Sequence, residues 1–173
     1  MDSETTSSDP RPRHSPPPLT AFLGNILAGL GFLFFQPRAI HHLRPAVSQL
    51  VALLLVPMLV SAGFQWSQVE GVAELDPAGL PALSFGLPWL LLAAWAGARL
   101  GGREDYFLPV ATALAALWAV VSCLHLGLAL LPPRVWQSLG QNALLLWWSP
   151  VAWGLLASIP TLVRAAGLPA ERR

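Results

Sequence analysis

Five apolar stretches punctuate this chain, covering residues 19–36, 47–66, 83–98, 107–131 and 142–163, with short polar segments between them. The stretch 107–131 is the longest, holds no charge, and has His125 as its one markedly polar side chain. At about 1.5 Å of rise per residue it is long enough, as a helix, to cross a hydrocarbon layer of roughly 30 Å. Residues 83–98 are equally free of charge. Between the two lies Arg99-Leu-Gly-Gly-Arg103-Glu104-Asp105, a polar turn whose two glycines stop a helix at low cost. Two apolar helices joined by so short a turn are expected to lie antiparallel in lipid.

Both arms of this hairpin carry small residues every four positions: Ala93, Gly97 and Gly101 on the first, and Ala111, Ala115 and Ala119 on the second. Residues four apart share a helix face, so each arm offers a ridge that permits close backbone approach. A turn centred near Glu104 sets Gly97 level with Ala111 and Ala93 level with Ala115. Those six residues are the expected helix-packing positions.

The remaining stretches differ in kind. Residues 19–36 are apolar but contain Gly24, Asn25, Gly29 and Gly31, and they stop at Pro37. Their length suits either a bare crossing or a helix lying along the membrane surface. Residues 47–66 and 142–163 are credible spans. Pro57 and Pro150 fall inside them and predict kinks, and Pro88 stands early in the first hairpin arm. Residues 1–18, rich in Ser, Thr and Pro, predict a disordered tail, and 164–173 a short C-terminal one. A secretory signal fits poorly, because no small-residue cleavage site follows the apolar run.

Composition strengthens the membrane reading. Of 173 residues, 54% are apolar and 11% charged, against roughly 25% charged in a typical soluble domain. So few charges cannot cover the surface of a soluble fold this size. Net charge is +1, with no basic cluster of the kind that binds nucleic acid. The single cysteine, Cys123, excludes an internal disulfide and a cysteine metal cluster. Trp66, Trp89 and Trp136 fall near segment ends, where indole rings favour the membrane interface. Trp95 and Trp118 lie inside the hairpin arms and read as packing residues.

Arginine placement chooses between topologies, because positively charged loops stay cytoplasmic. If 19–36 crosses, giving five spans, one side holds Arg38, Arg44, Arg99, Arg103, Arg164, Arg172 and Arg173, and the other Arg11, Arg13 and Arg134. If that stretch instead lies in the interface or is re-entrant, giving four spans, Arg134 stands alone against the other nine. The acidic stretch with Glu70, Glu74 and Asp76 then falls outside. The fold class expected is therefore an all-α integral membrane bundle of four transmembrane helices plus an N-terminal interfacial or re-entrant helix, with five spans as the alternative. Both termini are placed in the cytoplasm, and the membrane is read as a bacterial inner membrane.

Candidate chemistry is sparse. Cys123 and His125 are two residues apart, so on a helix they point about 200° apart and cannot address one site. An intramembrane histidine can be functional, and it can equally hydrogen-bond a neighbouring helix. Arg38, His41, His42 and Arg44 form a basic link expected to meet acidic lipid headgroups, each arginine contributing about 1 kcal/mol. The predicted span interiors hold no carboxylate or arginine for an ion pathway. No phosphate loop, His-Glu-x-x-His pair or Gly-x-Ser-x-Gly elbow occurs. The residues thus imply no catalytic set, no metal and no cofactor.

The run Phe34-Phe35-Gln36-Pro37-Arg38-Ala39-Ile40 resembles the opening of the Yip domain family, where a short apolar stretch and a Pro-Arg turn lead into a multi-span bundle. Gly101-Gly102 followed by Tyr106-Phe107-Leu108-Pro109 is similar to that family's loop between central spans. The resemblance covers about residues 19–163 and implies a non-enzymatic membrane protein acting through protein or lipid contacts. A looser likeness joins Asn25–Leu30, with Gly79, Pro81, Phe85 and Pro88, to the membrane region preceding some bacterial legumain-like peptidases, whose catalytic part this chain lacks. The alternative function is a small transport or channel component acting as an oligomer. Expected partners are membrane lipids and a membrane protein or a second copy, not nucleic acid.

Overall fold

The computed structural model describes residues 17–67, 86–102 and 104–167. The expected N-terminal tail, the acidic stretch from Glu70 to Asp76, Arg103, Arg172 and Arg173 lie outside the described residues. Among the described residues there are six α-helices: α1 (Pro18–Leu33), α2 (Val47–Ser67), α3 (Gly86–Leu100), α4 (Phe107–Ala129), α5 (Pro133–Leu139) and α6 (Asn142–Ala166). Short 3-10 helices cover Pro37–His42 and Glu104–Tyr106, and there is no strand among the described residues. Pro18 and Pro133 stand in the first turns of α1 and α5, where a missing N–H costs nothing.

Among the described residues, three helical stretches, Val47–Phe64, Glu104–Ala129 and Asn142–Ala166, are long and apolar enough to cross a membrane. The described part of α3 has 15 residues, and α1 has 16. Pro57 in α2 and Pro150 and Pro160 in α6 are carried inside continuous helices. Pro150 cannot donate to the Leu146 carbonyl, and the Ser149 hydroxyl takes that acceptor at 2.8 Å.

The bundle is organised around α4 alone rather than around the α3–α4 hairpin. Helices α1, α2, α3 and α6 all pack against it. Within the apolar stretch of α4, 61% is buried, against 17% and 11% for the other two long helices. Val110 through Leu117 are all buried, and Ala111, Ala115 and Ala119 are at most 1% exposed. Small side chains recur on several faces of α4, so helices can approach it from several directions.

α1 is one of those core helices. A Cβ on Gly29 would run into the backbone carbonyl of Ala116, so the two helix backbones are in direct contact there. Ala28 and Phe32 beside it are fully buried. The outer face of α1 presents Leu19, Leu23, Leu27 and Leu30, all exposed, at helical spacing.

The ridge on α3 has a partner outside the hairpin. A Cβ on Gly97 would meet the Leu162 side chain of α6 at 2.9 Å, with Val110 of α4 farther away at 3.8 Å. One on Gly101 would meet Ala166 of α6 at 3.3 Å. The expected Gly97–Ala111 pairing thus gives way to a three-helix junction in which the glycines admit α6. These contacts also set the ends of the bundle: the C-termini of α3 and α6 and the N-terminus of α4 lie together.

Candidate functional site

Two features distinguish this bundle from simple helix packing. The first is the segment joining α1 to α2. Phe35 has φ 56, the only positive value at a non-glycine among the described residues. The Gln36 N–H reaches back to the Gly31 carbonyl at 2.8 Å and the Phe35 N–H to the Phe32 carbonyl at 3.0 Å. This is a helix stop of the kind glycine usually makes. From there the chain folds back along α1. Ala39 packs on Gly31, the His42 carbonyl lies beside Gly24, and Arg44 lies beside Asn25.

Polar groups fasten this return in otherwise apolar surroundings. Asn25 is fully buried and accepts the Arg44 N–H at 2.7 Å, while its amide donates to the Arg44 carbonyl at 3.2 Å and to Gln49 Oε1 at 3.4 Å. Gln49 Nε2 donates to the Pro18 carbonyl at 3.2 Å. The first turn of α2 therefore stands beside the first turn of α1. No buried side-chain nitrogen or oxygen among the described residues lacks a partner.

The far end of the return is held by α6. Trp153 Nε1 donates to the Leu33 carbonyl and the Arg164 guanidinium to the Phe35 carbonyl, both at 2.8 Å. These side chains converge from eleven residues apart on α6, so the end of α1 abuts α6 between them. The Phe35 and Trp153 rings also meet edge to face at 5.4 Å. A cation at a helix C-terminus complements the partial negative charge of its unpaired carbonyls.

The second feature is a cavity of about 440 Å³ bounded by α2, α3, α4 and α6. Pro57, Trp89, Ala93, Trp118, Ser122 and Ser158 are among its walls, and no ionisable side chain lines it. Both serine hydroxyls are already engaged, Ser122 with the Trp118 carbonyl at 2.9 Å and Ser158 with the Gly154 carbonyl at 2.8 Å. The wall is therefore apolar in effect as well as in composition.

The expected headgroup residues Arg38, His41, His42 and Arg44 are all exposed. They lie along α1 on the return segment rather than beyond its end. Of the expected packing residues, Ala93 and Ala115 both line this cavity. Cys123 is exposed, and His125 stacks edge-on against Trp147 at 4.3 Å, with Trp136 beyond it at 5.8 Å from Trp147. Among the described residues, no cluster of three or more His, Cys, Asp or Glu is placed to hold a metal. Sequence reasoning gave no role to Gln49, Trp153, Ser122 or Ser158. Asn25 stands in the sequence as an amide in the middle of an apolar run, which is the signal a buried polar latch leaves.

No protein-family model matches the chain, nor does any curated protein or solved structure.

Proposed function

We propose that this is a non-enzymatic, multi-span membrane protein that acts through lipid contact, with α2, α3, α4 and α6 as four spans and α1 with its return segment as a re-entrant hairpin. The Gln49–Pro18 hydrogen bond carries this reading. It sets the starts of α1 and α2 side by side, so the chain gains no net crossing between them. Gly29 meets α4 at Ala116, two residues from the helix midpoint, which is the depth a re-entrant element reaches. Four spans leave Arg134 alone on one side, in keeping with the positive-inside rule and cytoplasmic termini. Arg38 and Arg44 extend along the apolar surface towards anionic headgroups, as long basic side chains do near membrane interfaces. The Yip likeness belongs to this reading, since its Phe-Phe-Gln-Pro-Arg run is the segment that turns α1 back.

Single-cysteine labelling in a Cys123→Ala background tests the topology. With a membrane-impermeant thiol reagent added outside intact cells, Trp136→Cys should label and Ser15→Cys should not. Outside labelling of Ser15→Cys would replace the re-entrant hairpin with a fifth span.

A further inference from the structure

We infer that the cavity between α2, α3, α4 and α6 is a binding site for one acyl chain of a membrane phospholipid, an inference that rests on the membrane reading above. Its height in the bundle is the first reason. On α4 its walls run from Leu114 to Ser122, centred on Trp118, and Trp118 is the middle residue of a helix spanning Phe107–Ala129. On α6 they run from Leu155 to Leu162, beside that helix's midpoint, Gly154. The cavity thus sits at the depth where the surrounding solvent is hydrocarbon.

Its shape and chemistry agree with that occupant. α3 and α6 are drawn together at Gly97 and Gly101, which admit Leu162 and Ala166. Trp89 and Leu155, 60% and 59% exposed, line the cavity farther from that junction and mark its open rim. An opening between two spans at mid-depth faces lipid, not water. The volume of about 440 Å³ lies within the range of sites that take a small-molecule ligand. No charged side chain lines it and both serine hydroxyl hydrogens are engaged, so a polar ligand would recover little of its lost hydration. An alkyl chain loses nothing and restores dispersion contacts that an empty cavity forfeits.

The test uses full-length protein in vesicles of phosphatidylcholine bearing a photoreactive diazirine midway along one acyl chain. After illumination, adducts are mapped by mass spectrometry. Adducts are expected on Trp118 and Ser122 inside the cavity as well as on the outward-facing Leu59, Leu145 and Leu156. Ala93→Phe fills the space and should reduce the Trp118 and Ser122 adducts about tenfold, since an occupied contact resists further side chains, while leaving the outer adducts unchanged. Ser158→Leu fills it from the opposite wall and should do the same if Ala93→Phe fails to fold. Adducts on the outer leucines with none on Trp118 or Ser122 would overturn the site and leave the membrane reading standing. Absence of adducts on all five would overturn the membrane reading itself. Loss of label from Trp118 and Ser122 together with a disulfide-linked dimer of a Trp89→Cys variant in the Cys123→Ala background would assign the cavity to self-association instead.

Discussion

Asn25 pairs with the backbone of Arg44 through both of its amide atoms, accepting the N–H at 2.7 Å and donating to the carbonyl at 3.2 Å. The side chain thereby imitates a peptide group and supplies the return segment with the partners a neighbouring strand would give. Away from water such partners are obligatory for the backbone.

Asn25→Leu keeps the branched shape of the side chain and removes both bonds to Arg44. Each orphaned peptide group should cost about 1–3 kcal/mol, and Gln49 loses a partner as well. A clear fall in the thermal midpoint in detergent is the expected result. An unchanged midpoint would mean that water reaches Arg44 and replaces the amide.

Two glycines in long helices should respond in opposite senses to the same substitution. Gly29→Ala places a methyl group into the Ala116 backbone, which no rotamer change can relieve. It should separate α1 from α4 and cost at least the ~1–3 kcal/mol typical of overpacking. Gly63→Ala meets nothing within 4 Å and should gain up to about 1 kcal/mol from helix propensity. Thermal midpoints of the two variants, measured side by side, check both signs. A Gly29→Ala protein as stable as wild type would show that α1 does not dock on α4 as described.

Helix positions were largely legible in the sequence, and helix partners were not. Apolar length and proline placement locate α2, α4 and α6 to within a few residues, because a charge-free run can be satisfied only by a helix in lipid. The small-residue ridge on α3 was equally visible, yet spacing says only that a close approach is possible. Leu162 and Ala166, which make that approach, lie 65 residues farther along the chain than Gly97 and Gly101. The arginine count allowed a re-entrant first stretch, but the geometry of its return after Phe35 was hidden for a different reason. Its helix stop uses phenylalanine where the sequence signal would be glycine, and its fastening depends on Arg44 backbone atoms that every residue type possesses. The cavity left no trace, because it is bounded by ordinary apolar residues from four helices.

Gly97→Leu should force α3 away from α6 at Leu162 rather than prise open the α3–α4 hairpin. The expected cost is about 1–3 kcal/mol in detergent stability. Leu92→Ile, on an exposed position of the same helix, should cost little, because lipid tails are as apolar as the side chain. Truncating the opposing residue separates the two possible partners. Leu162→Ala should recover part of the Gly97→Leu loss, and Ala111→Gly should not. Rescue by Ala111→Gly alone would return the ridge to the hairpin.

The sharpest test of the re-entrant hairpin lies at Phe35, whose left-handed conformation is unfavourable for a bulky residue and costs on the order of 1–3 kcal/mol. Two interactions offset it: the edge-to-face contact with Trp153, of a kind worth about 0.5–1.5 kcal/mol, and the charged hydrogen bond from Arg164 to the Phe35 carbonyl. Phe35→Gly relieves the strain and loses the ring, so those terms nearly cancel and its midpoint should stay close to that of wild type. Phe35→Val keeps a strained backbone, adds β-branching and loses the ring, so it should be the least stable of the three. Arg164→Met leaves the Phe35 carbonyl without its donor and should destabilise the wild-type and Phe35→Gly proteins alike, because glycine retains that carbonyl. Thermal midpoints of the four variants, including the Phe35→Gly, Arg164→Met double mutant, decide the matter. If Phe35→Val matches Phe35→Gly, the chain does not turn through a left-handed residue at this position, and the fold-back that sets α1 beside the start of α2 needs another cause.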